Sequence, residues 1–243
     1  MILIERNKIN YIPTLQVVKQ SLKKQPLPTV VYYHGFNGEK ESSLTIAYKI
    51  AEKGLRVILP DAPLHGERAI TKGPVEHGQT FWNIVIQAVE EINMIKSYLQ
   101  DRQYILEDKL GLGGTSMGGM ITYAALCKYE WIKSAAVLMG TPYVTKRAQD
   151  SVDLSTQEGK ELKKQIEQVD ITKQLNKLKE RPLLIWHGEN DEIVPVEDSR
   201  KFYNTLTNDN QTENVQFIAE EERIHNISKL SIEKTAEWFD NRL

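Results

Sequence analysis

Thr29-Val30-Val31-Tyr32-Tyr33 is an unbroken run of β-branched and aromatic residues, with Pro28 before it and Gly35 after it. Side chains alternate faces along a strand, so a run apolar at every position is apolar on both faces. A strand of that kind belongs inside a sheet covered on both sides, which calls for parallel strands joined by crossover helices. The chain supplies the remaining parts by alternation. Residues 55–59, 110–113, 135–139, 183–186 and 215–218 read as further strands. Residues 43–53, 80–100, 117–128, 196–206 and 228–239 have helical spacing. Thr80 is expected to cap the long helix, with Ile84, Ala88, Ile92, Ile95 and Leu99 on its buried stripe. The first 20 residues read as an antiparallel hairpin or meander at a sheet edge.

Two stretches interrupt the alternation. Residues 61–79 form a long loop with several Gly and Pro, and loops of that length in a compact domain are often functional. Residues 141–181 are polar and rich in Lys, Glu and Gln, and read as a small insert with one or two amphipathic helices over the sheet. The expectation is one α/β domain over residues 1–243. It has a mostly parallel central sheet, helices on both faces, and a short helical insert over the site. Sites on such sheets lie at the carboxyl ends of the strands.

Charge excludes several function classes. Lys and Arg number 31 against 33 Asp and Glu, a net charge of −2, so no field of one sign would attract nucleic acid or an anionic membrane. Apolar runs are too short to span a bilayer, and the first residues lack the basic segment of a secretory signal. Cys127 is the single cysteine, so neither an internal disulfide nor a cysteine-based zinc site can form. These features fit a reducing cytoplasm. No histidine spacing suggests a metal, and no cofactor is expected.

The densest chemical signal is Gly114-Thr115-Ser116-Met117-Gly118, a G-x-S-x-G string that follows a short apolar strand and opens a helix. A tight strand-to-helix turn would hold Ser116 at strained backbone angles, and side chains two positions either side would collide. The same glycines fail as a phosphate cradle. Ser116 stands where a dinucleotide fingerprint needs its third Gly, and Gly119 stands where a P-loop needs Lys.

A serine hydroxyl is a weak nucleophile at neutral pH and needs a base, with a carboxylate to orient that base. Of the five histidines, only His225 lies beyond the last strand, and Glu220-Glu221-Glu222-Arg223 before it is expected to keep its loop in water. The acid is sought after the strand ending at Trp186, where Glu189, Asp191 and Glu192 compete. Asp191 is preferred because Ile193-Val194-Pro195 would pin its loop; Glu189, Asp150 and Asp153 stay open. An oxyanion hole needs two N–H groups. Met117 and Phe36, the latter in the turn His34-Gly35-Phe36-Asn37-Gly38, are the candidates. His34 reads as a structural residue within that turn. His65, Trp82 and Tyr143 are weaker substrate-binding candidates, and Cys127 is expected to be buried and inert.

The set HGFNG, DAPLHGER, GTSMGG, HGENDEIVP and the late His225 resembles the α/β-hydrolase superfamily. Within it, the chain is similar to small bacterial carboxylesterases grouped with dienelactone-hydrolase-like and prolyl-oligopeptidase-like domains, from about Thr29 to the end except for 141–181. The resemblance implies an α/β-hydrolase fold and a serine hydrolase acting on a small-molecule ester. A peptidase or amidase with the same triad is the alternative. The insert is too short for a deep lipase lid, so short acyl chains are expected. A homodimer is compatible with the sequence, which does not fix the oligomeric state.

Overall fold

The computed structural model describes residues 1–70, 73–75, 77–178, 180–208 and 214–243. Its strands are β1 (Ile2–Ile9), β2 (Ile12–Lys19), β3 (Leu27–Tyr33), β4 (Arg56–Pro60), β5 (Ile105–Thr115), β6 (Ser134–Leu138), β7 (Leu183–Gly188) and β8 (Val215–Glu220). They form one sheet in the order β1-β2-β4-β3-β5-β6-β7-β8. β1 and β2 are the expected antiparallel edge hairpin, and β2 also meets β4 antiparallel; every other pairing is parallel.

The helices are α1 (Leu44–Glu52), α2 (Gln79–Asp101), α3 (Met117–Lys128), α4 (Val144–Ala148), α5 (Gln157–Gln168), α6 (Val196–Asn208) and α7 (Lys229–Arg242). The β3 run divides between two cores as its alternation demands. Val31 and Tyr33 pack with α2, α3 and α6 on one face, and Val30 and Tyr32 with α1 and α7 on the other. This is the α/β-hydrolase layering of a mostly parallel sheet covered on both sides. The order β4-β3-β5 means that the chain first crosses to one side of β3 and then returns to the other. The crevice at the carboxyl ends of β3 and β5 is therefore a topological switch point, where open sheets of this kind place their sites.

Two local expectations fail for identifiable reasons. Thr80 does not cap α2. The capping position lies two residues earlier, at Gly78 with φ +89°, which turns the chain into the helix with no side-chain cap. Strand β5 begins at Ile105, ahead of the apolar stretch that marked it. Its first half carries Glu107 and Asp108 at positive φ, and the pairing with β3 slips there between Leu27 and Thr29. Such a bulge breaks the alternation that a sequence reading relies on.

Candidate active site

Ser116 stands between β5 and α3 at φ 56°, ψ −113°, and its amide donates to Leu138 O at 2.8 Å. A non-glycine residue at positive φ is held there by its surroundings. The surroundings leave no room for alternatives. A Cβ on Gly114 would fall 2.2 Å from the Gly118 carbonyl carbon, and one on Gly118 would fall 2.2 Å from Tyr33 O. The helix start thus lies directly against the ends of β5 and β3, and Ser116 is the residue projected at the tip. Tyr32 Oη and Thr115 Oγ1, 2.7 Å apart, tie the strand end from below.

His225 and Asp191 arrive from the loops after β8 and β7. His225 Nδ1 lies 2.7 Å from Asp191 Oδ2, and its Nε2 lies 2.8 Å from Ser116 Oγ. A carboxylate only accepts, so Nδ1 carries the proton and Nε2 is left to accept from the serine hydroxyl. Asp191 is fixed at both oxygens. Oδ1 accepts from the amides of Ile193 and Val194 at 3.0 and 2.9 Å. Oδ2 also lies 3.2 Å from Nε2 of His187, a fully buried residue that itself bonds Ser199 Oγ and Val194 O. Burial alone would raise the Asp191 pKa. The hydrogen bonds from His187, His225 and the Val194 amide outweigh it and hold the carboxyl far below its usual range. The competing Glu189 instead accepts at both oxygens from Nη2 of Arg200.

Backbone bonds between the two loops set the distance from acid to imidazole: Glu189 N to Glu220 O at 2.9 Å and Asn190 N to Arg223 O at 2.8 Å. The segment before His225 is open to solvent at Glu221, Glu222 and Ile224, as expected, and only its first residue is tied down. Glu220 ends β8 and accepts from Trp186 Nε1, Ser228 Oγ and Arg223 Nε, which join the start of α7 to the sheet.

The turn after β3 is held from below by two buried histidines. His34 Nδ1 donates to Gly35 O at 2.7 Å, and its Nε2 accepts from Ala62 N at 3.1 Å. His65 Nδ1 donates to Pro63 O at 2.8 Å, and its Nε2 accepts from Asn37 N at 3.0 Å. Both rings must be neutral to accept these amides. Burial favours that form, lowering the His34 pKa from 6.5 to about 4 and lowering that of His65. Beside them the fully buried Asp61 accepts from Lys40 Nζ and from the amides of Lys40 and Glu67. Burial disfavours the Lys40 charge, but Asp61 and Glu67 overcome that and keep it firmly protonated. Met117 follows Ser116 at the start of α3 and Phe36 lines a cavity with Ser116, and no hydrogen bond from either amide to a protein acceptor is found among the described residues.

Ser116 opens onto two cavities. The larger, about 460 Å³, has an aromatic wall of Phe36, His77, Phe81 and Trp82. The smaller, about 300 Å³, reaches between Gly35, Thr115, Met139 and Ile227. Trp82 lines the larger cavity, whereas His65 and Tyr143 line neither cavity. The His65 ring is spent on bracing the turn. Tyr143 lies just before α4 with Lys201 Nζ 5.6 Å from its ring centre, so it packs toward α6. Among the described residues, the 141–181 segment reaches the larger cavity only through Arg147 and Ser151, while α5 packs on α2 and α4. Burial pushes the Cys127 thiol up to about 12, consistent with an unreactive side chain. Reasoning from sequence missed His187 as a partner of Asp191 and Arg147 as a cavity residue. The only available hint was proximity, four residues before the acid in one case and within the insert in the other.

Comparison with known proteins places the chain in a family. Residues 86–243 match the prolyl oligopeptidase family. The chain is 39% identical to YitV of Bacillus subtilis (strain 168), with all of both chains covered. It is 31% identical to YjfP of Escherichia coli (strain K12), over 85% of this chain and 86% of that one. Both relatives carry the word esterase in their names. The crystal structure of TT1662 from Thermus thermophilus superposes with a TM-score of 0.78 at 20% identity, over 99% of this chain and 98% of that one. The chain belongs to the prolyl oligopeptidase family of hydrolases and has the α/β-hydrolase fold.

Proposed function

We propose that the chain is a serine hydrolase that cleaves carboxylic esters of short acyl chains through an acyl-enzyme. The observation that carries this reading is the hydrogen-bonded line from Ser116 Oγ through His225 to Asp191, at 2.8 and 2.7 Å. Ser116 Oγ attacks the acyl carbonyl as its proton passes to His225 Nε2. Asp191 holds the ring in the tautomer that can accept and offsets the charge of the imidazolium. The Phe36 and Met117 amides bind the oxyanion, a contribution of about 3 kcal/mol to the barrier for each donor. His225 then gives its proton to the leaving alcohol. Water, deprotonated by the same imidazole, releases the acid and regenerates Ser116. The esterase names of the two relatives support ester substrates, and the modest size of the two cavities that Ser116 lines supports short ones.

Ser116→Ala should lower kcat on p-nitrophenyl acetate and butyrate by roughly 10⁴-fold or more and abolish labelling by a fluorophosphonate probe. Retained turnover would refute the assignment. The family's description favours one alternative, a peptidase with the same residues. Aminoacyl amides hydrolysed as fast as simple esters would establish it, and a steep rise in rate with acyl length would contradict the short-chain reading.

A further inference from the structure

Among the described residues lining the larger cavity, Arg147 is the one permanently charged side chain, and none is a carboxylate. The arginine belongs to α4. Its Nη2 donates to Ile193 O at 2.8 Å, and Ile193 and Val194 are themselves part of the cavity wall. That bond anchors the guanidinium at the rim and uses one of its five donors. The neighbouring Lys146 faces the other way, 3.8 Å from Asp198. The same cavity is lined by aromatic rings, with Phe36 and Phe81 edge to face at 5.2 Å and His77 tilted against Phe36 at 4.4 Å. A cavity lined by aromatic rings, by Met120, Ile193 and Val194, and by one cation held to Ile193 O suits a small organic acid. The hydrocarbon part lies on the rings, and the carboxylate meets a planar fork of donors.

We infer that Arg147 selects esters whose portion held in the larger cavity bears a carboxylate. The inference rests on the serine-hydrolase reading and sharpens its substrate class. The acid can belong to the acyl side, as in a half-ester of a short dicarboxylic acid, or to the alcohol side, as in an acylated hydroxybenzoate.

The test compares matched pairs in the wild type, Arg147→Gln and Arg147→Lys. One pair is p-nitrophenyl hemiglutarate against p-nitrophenyl valerate. The other is butyryl para-hydroxybenzoate against butyryl para-hydroxybenzamide. Taking each ratio of kcat/KM across variants cancels the intrinsic reactivity of the ester. On one arm, Arg147→Gln should lower the anionic-to-neutral ratio about tenfold, the equivalent of one charge-assisted contact, while the neutral rate stays within about twofold. Arg147→Lys should keep part of the preference, and raised salt should weaken it in the wild type. The inference is overturned if both ratios are unchanged in Arg147→Gln, or if that variant slows neutral and anionic esters alike. Failure of the serine-hydrolase reading looks different: neutral esters would be untouched by the wild type, or cleaved equally by Ser116→Ala.

Discussion

The turn that presents Ser116 and the turn that presents the Phe36 amide lie side by side at the ends of β5 and β3, yet they are held in different ways. The serine turn is shaped by exclusion. Gly114, Gly118 and Tyr33 O meet so closely that no other residue fits, and the constraint sits mostly within five consecutive positions. The β3 turn is shaped by attachment. Its conformation depends on His34 reaching Ala62, His65 reaching Asn37 and Lys40 reaching Asp61, polar contacts to residues 21–28 positions away that are buried except for the part-buried one at Asn37. Steric exclusion does not depend on pH. Contacts made by neutral imidazoles do, so the two turns should fail under different conditions.

The sharpest break in this contrast is Gly118→Ala. The new methyl would lie 2.2 Å from Tyr33 O, a backbone atom that cannot step aside without moving β3. We expect a loss of at least about 3 kcal/mol in stability and of all measurable esterase activity. Urea unfolding together with an ester assay checks both, and a stable, active variant would show that the helix start has slack.

A pH series tests the other turn. The His34 pKa is depressed from 6.5 to about 4, so the unfolded chain binds the proton more tightly than the folded one. The stability held by neutral His34 is present in full above pH 6.5 and is lost as pH falls toward 4, by about 3 kcal/mol at the lower end. His65, also depressed, adds in the same direction. Urea midpoints between pH 7.5 and 4.5 should fall, and His34→Gln should flatten the slope. A wild-type midpoint that does not move over this range would count against the clamp.

The smallest effect is expected from the outer of the two histidines. His65→Ala removes the acceptor of the Asn37 amide, next to Phe36. We expect kcat to fall about tenfold with KM little changed, because the lost order concerns an interaction made in the transition state. His65→Gln, which restores an acceptor, should recover part of the rate. An equal loss in both variants would mean that ring volume, not hydrogen bonding, is what matters.

This contrast also explains what could be read from the sequence. The serine turn was legible because its constraint is local, and so was the start of α3 at Met117, which follows directly from the motif. β3 was legible because its double-sided burial leaves a continuous apolar run. Asp191 could be favoured over Glu189 on the apolar residues after it, and the two do part company, one to His225 and the other to Arg200. The remainder depended on contacts across the chain. His34 was recognised as structural, but its partner, Ala62, was out of sight, and nothing near Tyr143 signals that it turns away from the cavity. His187 gives no periodic or spacing signal, because what it touches is set by the bend at Gly188–Asp191.

That bend has a mechanical consequence. Asp191 is gripped by two amides at one oxygen and faces two imidazoles at the other, so the acid has no freedom to follow the ring it supports. His225 is pivoted at Nδ1, and whatever travel its far nitrogen makes toward or away from Ser116 must come from the ring swinging about that immobile bearing.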